Sequence, residues 1–170
     1  PVRHSDIAIP YSAGTYNVGI DIPAGQYVMT PTTKYQEGYY FTTNYDRSII
    51  SSGCVDCDSF MIRGYATVQN GDKFELDYAT MVPAKDAGRL LPYKDDLYNP
   101  AEYKIGFDLP AGTYNLYYLD SKSHYEIRTS DSHLGYGNAV DSQDISGNTS
   151  ITVKDGQYLK LTHCALSPVK

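Results

Sequence analysis

One stretch of this chain occurs twice. Residues 16–27 read Tyr-Asn-Val-Gly-Ile-Asp-Ile-Pro-Ala-Gly-Gln-Tyr, and residues 103–114 read Tyr-Lys-Ile-Gly-Phe-Asp-Leu-Pro-Ala-Gly-Thr-Tyr. The Tyr, Gly, Asp, Pro, Ala, Gly and Tyr recur in register, and three further positions exchange one apolar residue for another. Only Asn17/Lys104 and Gln26/Thr113 change character. A match of this density implies a tandem repeat, in which each copy is one structural unit. At 170 residues, each half is long enough to bury a modest core of its own.

Within the repeat, Tyr16, Val18, Ile20 and Ile22 fall on alternate positions, as do Tyr103, Ile105, Phe107 and Leu109. Period-two alternation predicts one apolar face of a β-strand. Pro23 and Pro110 lack an N–H and should end that strand. Gly25 and Gly112 should then permit a turn. A second strand is expected along Tyr27-Val28-Met29-Thr30 and along residues 114–119. Asp21 and Asp108 should accept hydrogen bonds from backbone amides of the turn.

The rest of the chain reads as β-structure. Residues 1–15 echo the motif, with Ile7-Ala8-Ile9-Pro10 and then Ser12-Ala13-Gly14-Thr15-Tyr16, which predicts an added N-terminal strand. Tyr39-Tyr40-Phe41-Thr42-Thr43 and its counterpart Tyr125-Glu126-Ile127-Arg128-Thr129 read as strands. The polar segments 44–59 and 130–148 read as loops. Each copy is expected to close with a hairpin, around Asn70-Gly71 in one and Asp155-Gly156 in the other, with type I′ turns. Residues 85–101 have a linker's composition, with Leu90, Leu91, Tyr93 and Leu97 expected to pack across a seam. No amphipathic helix is evident. The expected fold is all-β: two tandem, similar antiparallel sandwich or jelly-roll-like modules, 1–84 and 102–170, joined by 85–101.

Charge narrows the partners. The net charge is −6 and no Lys/Arg cluster occurs, which argues against nucleic acid and against an anionic membrane surface. No apolar run approaches the roughly 18 residues of a spanning helix. The chain opens at Pro1 with no signal peptide, so targeting information is expected to lie outside it.

The opening motif, together with Asp155-Gly156-Gln157-Tyr158-Leu159-Lys160-Leu161, resembles a repeat module of uncharacterised proteins from Gram-positive bacteria. In those proteins it is similar to a C-terminal module of secreted proteins, lipoproteins or zinc-ribbon membrane proteins. The first copy departs at its close, where Asn70-Gly71-Asp72-Lys73-Phe74-Glu75-Leu76 stands. The resemblance implies an extracellular or envelope-attached setting and no activity.

Several residues carry candidate chemistry. Cys54-Val55-Asp56-Cys57 has the spacing of a metal grip or a redox pair. A closed zinc site would need Cys164 and one of His4, His124, His133 or His163, and a loop disulfide or plain thiols are the alternatives. Asp56-Cys57-Asp58 and Asp141-Ser142-Gln143-Asp144 offer loop carboxylates for calcium but lack the pattern of an EF-hand. His124, His133 and His163 have serines nearby, yet no spacing links them into a nucleophilic site. No cofactor is called for.

The tyrosines, 18 of them beside four Phe and no Trp, are the better lead. Tyr35, Tyr39 and Tyr40 in one copy, and Tyr117, Tyr118 and Tyr136 in the other, are candidates for stacking on sugars or anchoring a protein. The expected function is a non-catalytic surface or secreted module that binds a polysaccharide or a protein. A structural spacer is the alternative, and an enzyme or metal-dependent factor comes last.

Overall fold

The computed structural model describes residues 9–48, 52–133 and 138–169. They form strands and no α-helix, as the composition implied, and no helix among them is long and apolar enough to cross a membrane. The chain divides into two compact units, Pro1–Gly88 and Arg89–Lys170. The first holds β1 (Gly14–Asn17), β2 (Gly25–Pro31), β3 (Gly38–Thr43), β4 (Cys54–Phe60), β5 (Gly64–Val68), β6 (Lys73–Asp77) and β7 (Ala79–Pro83). The second holds β8 (Glu102–Lys104), β9 (Gly112–Tyr118), β10 (His124–Arg128), β11 (Ala139–Asp144), β12 (Thr149–Val153), β13 (Tyr158–Thr162) and β14 (Cys164–Pro168).

In the first unit the antiparallel sheets run β1-β6-β3-β4 and β5-β2-β7; in the second they run β8-β13-β10-β11 and β12-β9-β14. Strand for strand, this is one order used twice. Tyr27, Met29, Ala66, Val68 and Met81 from one sheet meet Tyr40, Phe60, Phe74 and Leu76 from the other in the first unit's core. Residues 98–101 belong to this pattern rather than to a linker. Tyr98 exchanges backbone hydrogen bonds with Leu166 (2.8 and 3.0 Å), as Tyr11 does with Met81 (2.8 and 2.9 Å).

The repeated stretch is not the straight strand that its alternation predicts. β1 ends at Asn17, and the chain then pinches into a tight loop. Gly19 N–H donates to the Ile22 carbonyl and Gly106 N–H to the Leu109 carbonyl, both at 2.7 Å. Ile20, expected on the core face, is therefore 86% exposed at the loop tip, while Val18 and Ile22 are buried. The aspartates do what turn aspartates do. Asp21 Oδ2 accepts from Asn17 N–H (2.7 Å) and Asp108 Oδ2 from Lys104 N–H (2.9 Å).

The expected hairpins are also corrected. β5 belongs to one sheet and β6 to the other, so the Asn70-Gly71 turn carries the chain across the sandwich, and Asp155-Gly156 does the same between β12 and β13. Gly71 has φ +90° and Gly156 +83°, while Asn70 and Asp155 keep negative φ. That is the type II arrangement, with only its third residue left-handed, rather than type I′. The turn pairs with the pinched loop instead of with a strand. Val18 N–H donates to the Asp72 carbonyl (2.8 Å) and Gly71 N–H to the Val18 carbonyl (3.0 Å). In the second unit Ile105 makes the same exchange with Gln157 (2.9 Å) and Gly156 (3.0 Å).

The side chain after each crossover glycine finishes the turn. Asp72 accepts from Gln69 N–H (2.8 Å), and Gln157 Oε1 accepts from Lys154 N–H (2.7 Å). Asp72 also holds Asn44 Nδ2 and Arg47 Nε, each at 2.9 Å. Burial opposes its ionisation, but the Arg47, Gln69 and Asn44 donors outweigh it and hold the carboxyl below its usual range.

Many of the tyrosines are core residues. Tyr27, Tyr40, Tyr65, Tyr103, Tyr114, Tyr125 and Tyr158 are buried. The repeated ones share one contact: the hydroxyl donates to the carbonyl four residues back. Tyr27 reaches Pro23 and Tyr114 reaches Pro110, both at 2.7 Å, while Tyr16 reaches Ser12 (2.5 Å) and Tyr103 reaches Asn99. The Tyr27, Tyr103 and Tyr114 rings fill core and Tyr16 packs half-buried against it, while each polar end is satisfied locally.

Two outcomes follow from this packing. Gly19 and Gly106 have φ +94° and +91°, and a Cβ there would lie 3.0 Å from Asn70 Oδ1 and 3.2 Å from Asp155 Oδ1. Gly19→Ala should cost about 1–2 kcal/mol in a denaturant midpoint. Gly88→Ala, where a Cβ meets nothing within 4 Å, should cost nothing. Burial pushes the Tyr27 and Tyr125 phenols up to about 12. The unfolded chain releases those protons near pH 10 while the folded one keeps them. Their contribution is thus full below pH 10 and is lost as pH rises through about 12. A spectroscopic phenol titration checks this, with Tyr27→Phe removing one late-titrating group.

Candidate functional site

β3 reads Gly-Tyr-Tyr-Phe-Thr-Thr, and its alternation turns Tyr40 and Thr42 into the core and Tyr39 and Phe41 outward. Register sets their neighbours. Tyr39 lies between Asp77 of β6 and Ser59 of β4, and Phe41 between Glu75 and Cys57. The outer face of this sheet thus carries two rings in line, with carboxylates on one side and small polar side chains on the other. A hollow of about 340 Å³ opens here, lined by Tyr39, Tyr40, Phe41, Cys57, Asp58, Glu75 and Asp77.

Tyr39 is held in place at the rim. Its ring meets Tyr78 edge-on, with centroids 6.4 Å apart, and its hydroxyl donates to Glu37 Oε2 at 2.9 Å. That bond, together with the carboxylate's charge, raises the phenol's pKa, so the hydroxyl stays protonated as a donor. Tyr78 joins β6 to β7 with φ +56°, a left-handed conformation that a bulky residue adopts only against strain. It is 54% exposed, so its ring keeps a solvent-facing side while it meets Tyr39, which lines the hollow. On β6, Glu75 pairs with Lys73 (3.0 Å), and Asp77 forms no ion pair among the described residues. Lys73 is the one cation among the described outward residues of this face, against Glu37, Glu75 and Asp77, with the half-buried Asp58 also lining the hollow. Rings offer an apolar floor for C–H groups, and carboxylates accept hydrogen bonds from hydroxyls or ammonium groups.

The other tyrosine candidates are dispersed. Tyr40 is 3% exposed, because β3's alternation sends it inward; it stacks on Phe74 and donates to Asp56 Oδ2 at 2.9 Å. It presents no ring to a ligand. Tyr35 is exposed between β2 and β3, with the Lys34 ammonium 5.7 Å from its ring centre. Tyr117 and Tyr118 are partly exposed on β9, in the second unit, and Tyr117 shares a hydrogen bond with Ser167 (3.1 Å). Tyr136 lies outside the described residues. Phe41, Glu75, Asp77 and Tyr78 were missed. Alternation along β3 and β6 signals the first three, but only the pairing of those strands brings them together.

The segments read as loops carry strands. Cys54 to Asp58 lie on β4, and Asp141 to Asp144 on β11. Asp56 is buried against Tyr40, and Asp141 takes the Tyr125 hydroxyl at 2.6 Å; neither is a loop ligand for calcium. The three cysteines are free thiols. Burial, then the hydrogen bond with Cys57, pushes Cys54 up to about 12. Cys164 is buried, donates to the His124 carbonyl at 3.3 Å and is pushed up to about 11.

Among the histidines, His4 lies outside the described residues. His133 stands 3.2 Å from Glu102, and His163 Nδ1 is 2.7 Å from Asp120. His124 has Asp144 at Nδ1 (2.8 Å) and Ser142 Oγ at Nε2 (3.2 Å), the bonding order of a nucleophilic relay. Spacing gave no sign of it, since the three meet only through the β10–β11 register. The Asp144 side chain is 95% exposed, however, so water competes for the carboxylate that must orient the ring.

Comparison with protein-family models, with curated proteins and with solved structures finds no match.

Cys57 provides a way to watch the hollow. It lines the hollow and is only partly buried, whereas Cys54 and Cys164 are buried thiols with raised pKa values. A maleimide at about pH 8 should label Cys57 first, by at least about tenfold in rate. Peptide mass mapping reads the order, and equal labelling of all three thiols would count against this geometry.

Proposed function

We propose that this chain is a non-catalytic binding module of an exported, cell-envelope protein, and that it takes glycan on the outer face of its first unit. The observation that carries the reading is the hollow over β6, β3 and β4, where Tyr39 and Phe41 lie in line beside Glu75 and Asp77. Two strand positions separate the rings by about 6.8 Å along β3, close to the length of one sugar residue. Sugars present C–H faces to rings and hydroxyls to carboxylates. Tyr39 is oriented in advance by Tyr78 and Glu37, which lowers the ordering cost of binding. The envelope setting rests on the resemblance of the repeated stretch to exported modules. A spacer would have no use for an exposed ring, Tyr39, held in place beside the half-buried Phe41.

Sedimentation with purified Gram-positive cell walls tests this. The full chain should bind saturably, and Tyr39→Ala or Phe41→Ala should each weaken binding about tenfold. Tyr93→Ala, at an exposed ring outside the hollow, should have no effect. Tyr78→Gly removes a ring that needs a left-handed backbone. It should weaken binding while leaving the denaturation midpoint within about 1 kcal/mol of wild type. Absence of wall binding by the full chain would return the weight to the spacer.

A further inference from the structure

The charge of the hollow goes further than its rings. A neutral sugar needs acceptors and donors in balance, and hydroxyls supply both. Here the balance is one-sided. Glu75 and Asp77 stand outward on β6 beside Phe41 and Tyr39, and Glu37 already holds the Tyr39 hydroxyl. Lys73 meets Glu75 at 3.0 Å, and its side chain is 54% exposed, so that pair is solvated and readily exchanged. Asp77 has no cationic partner among the described residues. Carboxylates beside aromatic faces are the arrangement that receives an ammonium group, by charge and by the ring quadrupole together.

We infer that the hollow selects amino sugars whose amines are protonated, such as oligomers of de-N-acetylated hexosamine, over their N-acetylated forms. The sugar ring lies over Tyr39 and Phe41, and the ammonium group turns toward Asp77 and Glu75. The inference rests on the glycan reading above and names the sugar class of the same site. N-acetylation would remove the charge and set an amide against carboxylates that cannot donate to its carbonyl. Selectivity then comes from the mismatch with the wrong sugar as much as from the match with the right one.

Two oligosaccharides of equal length, one fully de-N-acetylated and one fully N-acetylated, are titrated calorimetrically into the full chain at about pH 6 and low salt. The amino form should bind about tenfold more tightly, the scale of two solvent-exposed ion pairs with a cation–π contribution. The preference should shrink as salt is raised. In E75Q/D77N the ratio of the two affinities should fall to near unity, and circular dichroism checks that the variant is folded. The amino oligomer should also slow maleimide labelling of Cys57, which lines the hollow. Equal affinities, or a preference unchanged in E75Q/D77N, would overturn the inference and leave the glycan reading standing. Binding of neither oligomer, together with failure to bind cell walls, would overturn both.

Discussion

Each unit depends on a four-atom exchange between two short pieces of backbone. Val18 gives its N–H to Asp72 and takes the N–H of Gly71, and Ile105 does the same with Gln157 and Gly156. The crossover turn must leave one sheet and enter the other, which strips its peptide groups of ladder partners. The turn's own tip is exposed, but Val18, Ile105 and Asp72 are buried, and a buried peptide group without a partner costs about 1–3 kcal/mol. The pinched loop of the repeated stretch supplies those partners. Its glycine lets the loop fold tightly and leaves room for Asn70 or Asp155, its aspartate closes the loop, and its flanking tyrosines fasten the approaching chain through carbonyls four residues back. The residues that recur in both copies are the parts of this one device.

Inside and outside of the four-stranded sheets follow different rules. By register, Tyr40 corresponds to Tyr125, Phe74 to Leu159 and Leu76 to Leu161, all buried, and the Tyr40–Asp56 bond recurs as Tyr125–Asp141. The outward positions do not correspond in chemistry. Where the first unit has Tyr39, Phe41, Glu75 and Asp77, the second has His124, Glu126, Lys160 and Thr162. Its polar groups pair with one another: His124 with Asp144 and Ser142, and Glu126 with Arg128 at 2.7 Å. One scaffold therefore presents an open aromatic and acidic surface in one unit and an internally paired polar surface in the other.

The repeat, the β class and the turn aspartates were legible because they are local. Pairing was not. Asn-Gly and Asp-Gly mark a turn in any sequence, but whether the strands on either side join each other or part company is decided by what docks on the turn. The pinched loop hid for a related reason: Val18, Ile20 and Ile22 alternate like a strand, and only the reversal at Gly19 puts Ile20 in water. β4 and β11 were hidden by their polarity, since edge strands with one solvated face need few apolar residues. For the site, sequence picked out Tyr39, yet gave Tyr40 equal standing beside it. Strand phase separates the two, and phase shows in sequence only once the strand is assigned.

Tyr78 and His163 separate what the fold demands of a position from what its side chain adds. Both stand between equivalent strands and both are left-handed, at φ 56° and 49°. The backbone conformation is thus a demand of the fold, the bend that takes β6 into β7 and β13 into β14. Glycine would satisfy it without the strain of about 1–2 kcal/mol that a side chain adds there. Neither position has glycine. His163 uses its ring to reach Asp120, while Tyr78 sets its ring edge-on to Tyr39 beside the hollow and leaves half its surface in water. An exposed ring held at a strained position adds little to the core. Its contribution is to the shape of the surface that Tyr39 and Phe41 offer.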